Sequence, residues 1–147
     1  LYTISDDWQL GVTVRDLLAS YSWDSSTLYD DESSGRTDDF PTQYHIGASF
    51  SGISGLLISL EGGQAVFENQ TANSLRLGSS YQLHERVTIR AGWQIDELSS
   101  PKQSNHGSAG FSVHLPFDLL APSIDYSFVQ EGNNISYMHS FGLLLNI

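Results

Sequence analysis

The stretch from Leu75 to Ile95, LRLGSSYQLHERVTIRAGWQI, decides how the rest of the chain is read. Leu75, Leu77, Ser79, Tyr81 and Leu83 alternate with Arg76, Gly78, Ser80 and Gln82. After a turn at His84 to Arg86, Val87, Ile89, Ala91, Trp93 and Ile95 alternate with Thr88, Arg90, Gly92 and Gln94. Period-two alternation puts one set of side chains on each side of a pleated strand, so the stretch predicts a β-hairpin with an apolar and a polar face. Each arm has about nine residues, where an ordinary strand has about 5 to 6. A tilted strand crossing a bilayer needs about 9 to 11. Arg76 and Arg90 lie mid-strand on the polar face, which suits a wet or charge-paired lumen behind a lipid-facing wall. A soluble hairpin with one solvated face has the same pattern, and the hairpin alone leaves both settings open.

Composition narrows the class. The 147 residues are enough for one domain. No run of 18 apolar residues occurs, so no transmembrane helix is expected. The chain starts at Leu1 with neither an initiator Met nor a signal peptide, which makes a processed chain or a piece of a longer one the expectation. Cysteine is absent, which excludes disulfide scaffolds, Cys-ligated zinc and thiol catalysis. A net charge of −11 argues against nucleic acid as a partner, because little here would neutralise phosphates. Aromatic residues at 12% and apolar residues at 39% are too rich for disorder. Gly, Asn, Asp and Ser punctuate the alternating runs, as in all-β proteins.

Read in order, the alternation predicts eight strands. The first covers Trp8 to Arg15. An acidic loop from Ser22 to Phe40 follows, carrying Asp24, Asp30, Asp31, Glu32, Asp38 and Asp39 against Arg36 and showing no apolar period. Tyr44 to Phe50 is the second strand, closed by a turn at Ser51 to Gly55. A third starts at Leu56 and extends toward Phe67, with Glu68 to Asn73 leading into the central hairpin. Glu97 to Gly107 reads as a looser segment, placing His106 in a loop. Ala109 to Leu115, Pro122 to Phe128 and Tyr137 to Ile147 complete the set, with turns at Pro116 to Leu119 and Gln130 to Asn134. The first, third, fifth and seventh connections read as long or polar and the others as short, the asymmetry of outer-membrane barrels with their short periplasmic turns and longer outer loops. The acidic loop is then expected outside the cell.

The polar face carries Gly11, Gly47, Gly63, Gly78, Gly92, Gly110 and Gly142, which suits a curved wall or a close-fitting occupant. Arg15, Glu61, Arg76, Arg90, Asp96 and Asp125 share it and are expected to form a lumenal polar network, because charges in such a site must be paired or hydrated. Trp8, Val12, Ile46, Ile89, Trp93, Phe111, Tyr126 and Phe141 are expected to face lipid.

The order of motifs resembles a known family. WQLGVTVRDLL at Trp8 to Leu18, then Pro41 and YHIGASF, are similar to the opening signature of PorV/PorQ-type proteins. LRLGSSYQLHERVTIRAGW resembles their central hairpin, and SAGFSV, SIDYSF and MHSFGLLLNI resemble their ending. Asp16 stands where that family usually has Asn, Ser79 or Ser80 falls near its Glu, and Trp93 replaces its Tyr. Ile147 departs from the terminal aromatic residue of many outer-membrane barrels. The resemblance implies an outer-membrane barrel of the FadL-like superfamily with fourteen strands, of which residues 1–147 are the C-terminal eight. It implies outer-membrane lipid, and a secreted cargo protein or secretion-complex subunits, as partners. The implied role is type IX secretion, with FadL-like passage of hydrophobic small molecules as the alternative.

Enzyme signatures are missing. No G-x-S-x-G elbow occurs, and His84-Glu85-Arg86 is not H-E-x-x-H, so neither a catalytic, a metal nor a cofactor site is expected. His45 and His114 fall on the polar face and His139 on the apolar one. Asp30 to Glu32 lacks the spaced ligands of a calcium loop. The reading from another class is a soluble eight-stranded ligand-binding barrel, with Trp8, Ile46, Ile89, Trp93, Phe111 and Phe141 around a shared interior. The expected architecture is therefore an all-β, antiparallel, up-and-down transmembrane barrel segment over 1–147. Its first and last strands are expected to be open edges, because a closed lumen of eight strands has room only for side chains and would be poorly filled by Gly and Ser.

Overall fold

A computed structural model describes residues 1–23, 36–67, 70–98, 103–115, 122–132 and 136–145. The acidic residues 24–35, the turn at 116–119 and the terminal Ile147 lie outside them. Among the described residues the elements are all β-strands, and every pairing is antiparallel.

Each stretch expected as a strand overlaps one, among eleven strands in the described residues. We number the elements β1 (Tyr2–Thr3), β2 (Trp8–Arg15), β3 (Ser20–Trp23), β4 (Arg36–Asp39), β5 (Thr42–Ile53), β6 (Leu56–Phe67), β7 (Gln70–His84), β8 (Val87–Asp96), β9 (Ser104–His114), β10 (Ser123–Gln130) and β11 (Tyr137–Leu144). One sheet runs β1-β2-β5-β6-β7-β8-β9-β10-β11, so the long strands are neighbours in chain order, the up-and-down arrangement. The sheet is open: among the described residues no ladder joins β11 to β1 or β2, and no closed barrel forms. β1 covers only the start of the β2 edge, through Tyr2 opposite Leu10 and Thr3 opposite Gln9.

Three local expectations are corrected. The acidic segment is not loop throughout, because β3 and β4 form a separate hairpin at its base, held to the chain before it by Phe40 N donating to Ala19 O. Tyr21 and Trp23 alternate with Ser20 and Ser22 over only four residues, and β4 has no apolar residue, so neither strand is long or patterned enough to stand out. β7 begins at Gln70 and β9 at Ser104, earlier than the alternation indicates, because Thr, Asn, Ser and His there still supply ladder hydrogen bonds to a neighbouring strand. Consequently the third connection has room for two residues between Phe67 and Gln70, and the sixth holds eight between His114 and Ser123. The division into long and short ends is thus carried mainly by the connection from β2 to β5.

Register fixes the faces. Val12 pairs with Ile46, Leu60 with Leu77, Leu77 with Trp93, Ile89 with Phe111, and Phe111 with Tyr126, which in turn faces Phe141. One face is therefore apolar across all eight long strands, because a shift of one residue in any pairing would swap that strand's two sides. Its rings pack on one another, with Trp8 and Phe50 centroids 4.9 Å apart and Tyr126 between Phe111 and Phe141 at 5.4 and 5.0 Å.

The sheet has no second layer. Domains ordinarily bury an apolar face against another element, yet among the described residues no aliphatic or aromatic side chain other than the Pro122 ring is buried. The chain exposes 11260 Å², while a compact folded chain of 16.2 kDa exposes about 7,500 Å².

Candidate functional site

The polar face is where the charged residues meet. Glu61, Arg76, Gln94 and His106 are opposite one another on β6, β7, β8 and β9. Arg76 Nη1 donates to Glu61 Oε1 at 2.6 Å, and the same oxygen lies 3.2 Å from His45 Nδ1. The register explains the triad: β5 brings His45 opposite Gly63, one position along the face from Glu61, where no side chain intervenes. A methyl at Gly63 would lie 2.6 Å from Ser74 Oγ and 3.0 Å from His45 Nδ1. That glycine therefore makes room for the triad.

A second cluster forms at the ends of β8 and β9. Gln94 Nε2 donates to both Asp96 oxygens, at 2.9 and 2.7 Å, and His106 Nε2 lies 3.4 Å from Asp96 Oδ2. Gly132 N donates to His106 Nδ1 at 3.2 Å, so the neutral ring carries its proton on Nε2, which lies 3.0 Å from Ser104 Oγ. The placement of His106 in a loop is thus corrected: it is a strand residue on the polar face, paired with Gln94.

The third cluster, nearer the start of β8, joins Arg90, Ser112, Ser123 and Asp125. Arg90 Nη1 donates to Ser112 Oγ at 2.6 Å and lies 3.6 Å from Asp125 Oδ1. The Ser112 hydroxyl donates to Asp125, and Ser123 Oγ does so at 3.5 Å. Ser112 and Ser123 are the buried polar residues, whereas the Arg90 and Asp125 side chains they bridge are 52 and 42% exposed.

The six charged residues expected together share one face, and five of them resolve into three clusters. Arg15 stands opposite Gln43 and makes no ion pair with another described residue. His45, His106, Ser112 and Ser123 are participants the sequence reading did not name, and their polar-face parity was the available signal. Between the first and third clusters lies a row of small residues, Ser49, Ser59, Gly78, Gly92 and Ser108, opposite one another across five strands. Hollows of about 390 and 430 Å³ open over it.

The apolar face is equally defined. Val12, Ile46, Trp93 and Phe141 are 68, 62, 53 and 77% exposed, and Trp8, Ile89 and Phe111 are exposed as well. Tyr126 is half-buried among its neighbours, its hydroxyl 2.9 Å from His139 Nδ1. Toward one end the face turns polar at Gln64 and Asn73, whose amides bond at 3.0 Å. Among the described residues no group of His, Asp and Glu could hold a metal ion, and no helix is long and apolar enough to cross a membrane. No family model and no curated protein matches the chain.

Proposed function

We propose that this chain builds part of the wall of a bacterial outer-membrane β-barrel, with its apolar face against lipid and its polar face lining the lumen. One observation carries the reading: an apolar face continuous over eight strands and covered by no other described element, backed by a face on which five of the six expected charges have partners. In water such a sheet is unstable for lack of a core; in lipid the same face is solvated. On β7 the apolar run from Leu75 to Leu83 is about 27 Å long at ~3.4 Å per residue. At a tilt of about 40° it covers about 20 Å of depth, close to the ~25 Å apolar band of such barrels.

Lipid cannot satisfy free strand edges. The outer edges of β2 and β11 therefore take further strands, and the PorV/PorQ resemblance makes these eight the C-terminal portion of a fourteen-stranded barrel. On that resemblance the role is a type IX secretion-associated component without enzymatic activity. Its partners are secreted cargo or secretion-complex subunits meeting the connection between β2 and β5. A FadL-like passage for hydrophobic small molecules is the second reading, favoured by the hollows along the polar face. The soluble ligand-binding barrel lacks support, since Trp8, Ile46, Ile89, Trp93, Phe111 and Phe141 enclose no shared interior.

Fractionation tests the location: the protein should resist carbonate and high salt and leave the membrane only in detergent. Recovery in the soluble fraction overturns the reading. Co-purification of secretion subunits from detergent extracts supports secretion, whereas solute uptake lost on deletion without a secretion defect supports transport.

A further inference from the structure

At the end of the sheet where β6 gives way to β7, the polar face carries an unexpected apolar patch. Ala65 lies opposite Ala72, and Phe67 opposite Gln70, at positions whose parity is that of Glu61 and Arg76. With Pro41 they line a hollow of about 660 Å³, larger than those over the small-residue row. That volume lies in the range of small-molecule sites, roughly 300 to 1,000 Å³.

The hollow's charge has one sign. Asp39 and Glu97 line it, and among the described residues no Lys, Arg or His does. The backbone that carries each carboxylate is fixed. Asp39 ends β4, paired with Ser20, and the Phe40 N to Ala19 O bond follows directly. Glu97 has φ 56°, the left-handed region that a non-glycine residue enters only at a cost of about 1 to 3 kcal/mol. That conformation turns the chain so that Leu98 N reaches Asn73 O at 3.1 Å, pinning the segment to the strand that forms the hollow's floor.

Carboxylates over an aromatic and aliphatic floor complement a cation with an apolar body. An anion is repelled, a neutral hydrocarbon strips water from the carboxylates without compensation, and a metal ion finds too few ligands. An ammonium group satisfies both parts, through the carboxylates and through the ring face of Phe67. We propose that this hollow binds an organic ammonium compound, its apolar body on Phe67, Pro41, Ala65 and Ala72 and its charge between Asp39 and Glu97. The site stands on the hollow and does not depend on the membrane assignment.

Calorimetric titration of the full chain in amphipol tests it with benzyltrimethylammonium, phenylacetate, tetramethylammonium and putrescine. Benzyltrimethylammonium should bind most tightly and phenylacetate least. Asp39→Asn with Glu97→Gln should weaken the aromatic cation about five- to tenfold, as expected for two solvent-screened charge contacts. Phe67→Ser should bring its affinity down to that of tetramethylammonium. Circular dichroism verifies each variant's fold, and Gln82→Glu, at the opposite end of the face, should bind as the parent does. Equal affinity for phenylacetate, stronger binding of putrescine, or unchanged affinity in the folded double carboxylate variant overturns the proposal.

Discussion

Replacing Ile89 by Arg tests the lipid-facing assignment most directly, because its neighbour Thr88 is an internal control. Ile89 projects from the apolar face opposite Tyr81 and Phe111, whereas Thr88 projects from the polar face opposite Gln82 and Ser112. The apolar positions of β8 run from Val87 to Ile95 and centre on Ala91. Ile89 is two residues away, about 7 Å along the strand, or about 5 Å in depth at a tilt of ~40°. An Arg at the midplane of a barrel wall costs about 2 to 4 kcal/mol and less toward the interfaces. Ile89→Arg should therefore cost about 2 to 3 kcal/mol. Thr88→Arg adds a hydrated charge beside Arg90 and should cost at most about 1 kcal/mol. The assay is guanidinium unfolding in short-chain phosphatidylcholine vesicles, followed by tryptophan fluorescence. On a water-exposed sheet Ile89→Arg should stay within about 0.5 kcal/mol of the parent. Equal costs at the two positions would falsify the assignment of faces.

Other consequences follow from the same geometry. Arg76→Gln and Glu61→Gln, combined in a double-mutant cycle in vesicles, should show a coupling of about 0.5 to 1 kcal/mol, since both side chains are more than 40% exposed; strict additivity rules out a functioning pair. A methyl at Gly110 meets the Tyr126 carbonyl oxygen at 2.6 Å, whereas one at Gly107 has its nearest contact at 3.6 Å on the Trp93 ring. Gly110→Ala should thus cost about 1 to 3 kcal/mol by forcing backbone to move, and Gly107→Ala should be near neutral; a reversed order in denaturant midpoints contradicts the β9–β10 register. In hydrogen exchange of the 147-residue chain in detergent, outward amides of β11 should exchange orders of magnitude faster than those of β7, as unpaired edge groups do. Uniform protection of β11 shows that its edge is paired.

Local alternation was enough to find the eight long strands and to sort their residues by face. Every second side chain of a strand lies on one side, whatever strand it pairs with. The apolar set from Trp8 to Phe141 and the polar set from Arg15 to Asp125 were legible on that basis. The weakly patterned segments were not: β3 and β4, the start of β7 and the start of β9 are strands because a neighbouring backbone accepts their hydrogen bonds, and that partner lies elsewhere in the chain. The division of five of the six polar-face charges into three clusters depends on register between strands, as does the union of His106 with Asp96. Phe67 and Ala65 broke the polar-face pattern in the sequence, yet only the meeting of β4, β6, β7 and the turn at Glu97 makes a hollow of them. Closure is the most nonlocal property: the sheet's outer edges lie at β1–β2 and β11 because no ladder joins them, and alternation within a strand carries no information about how many strands stand beside it.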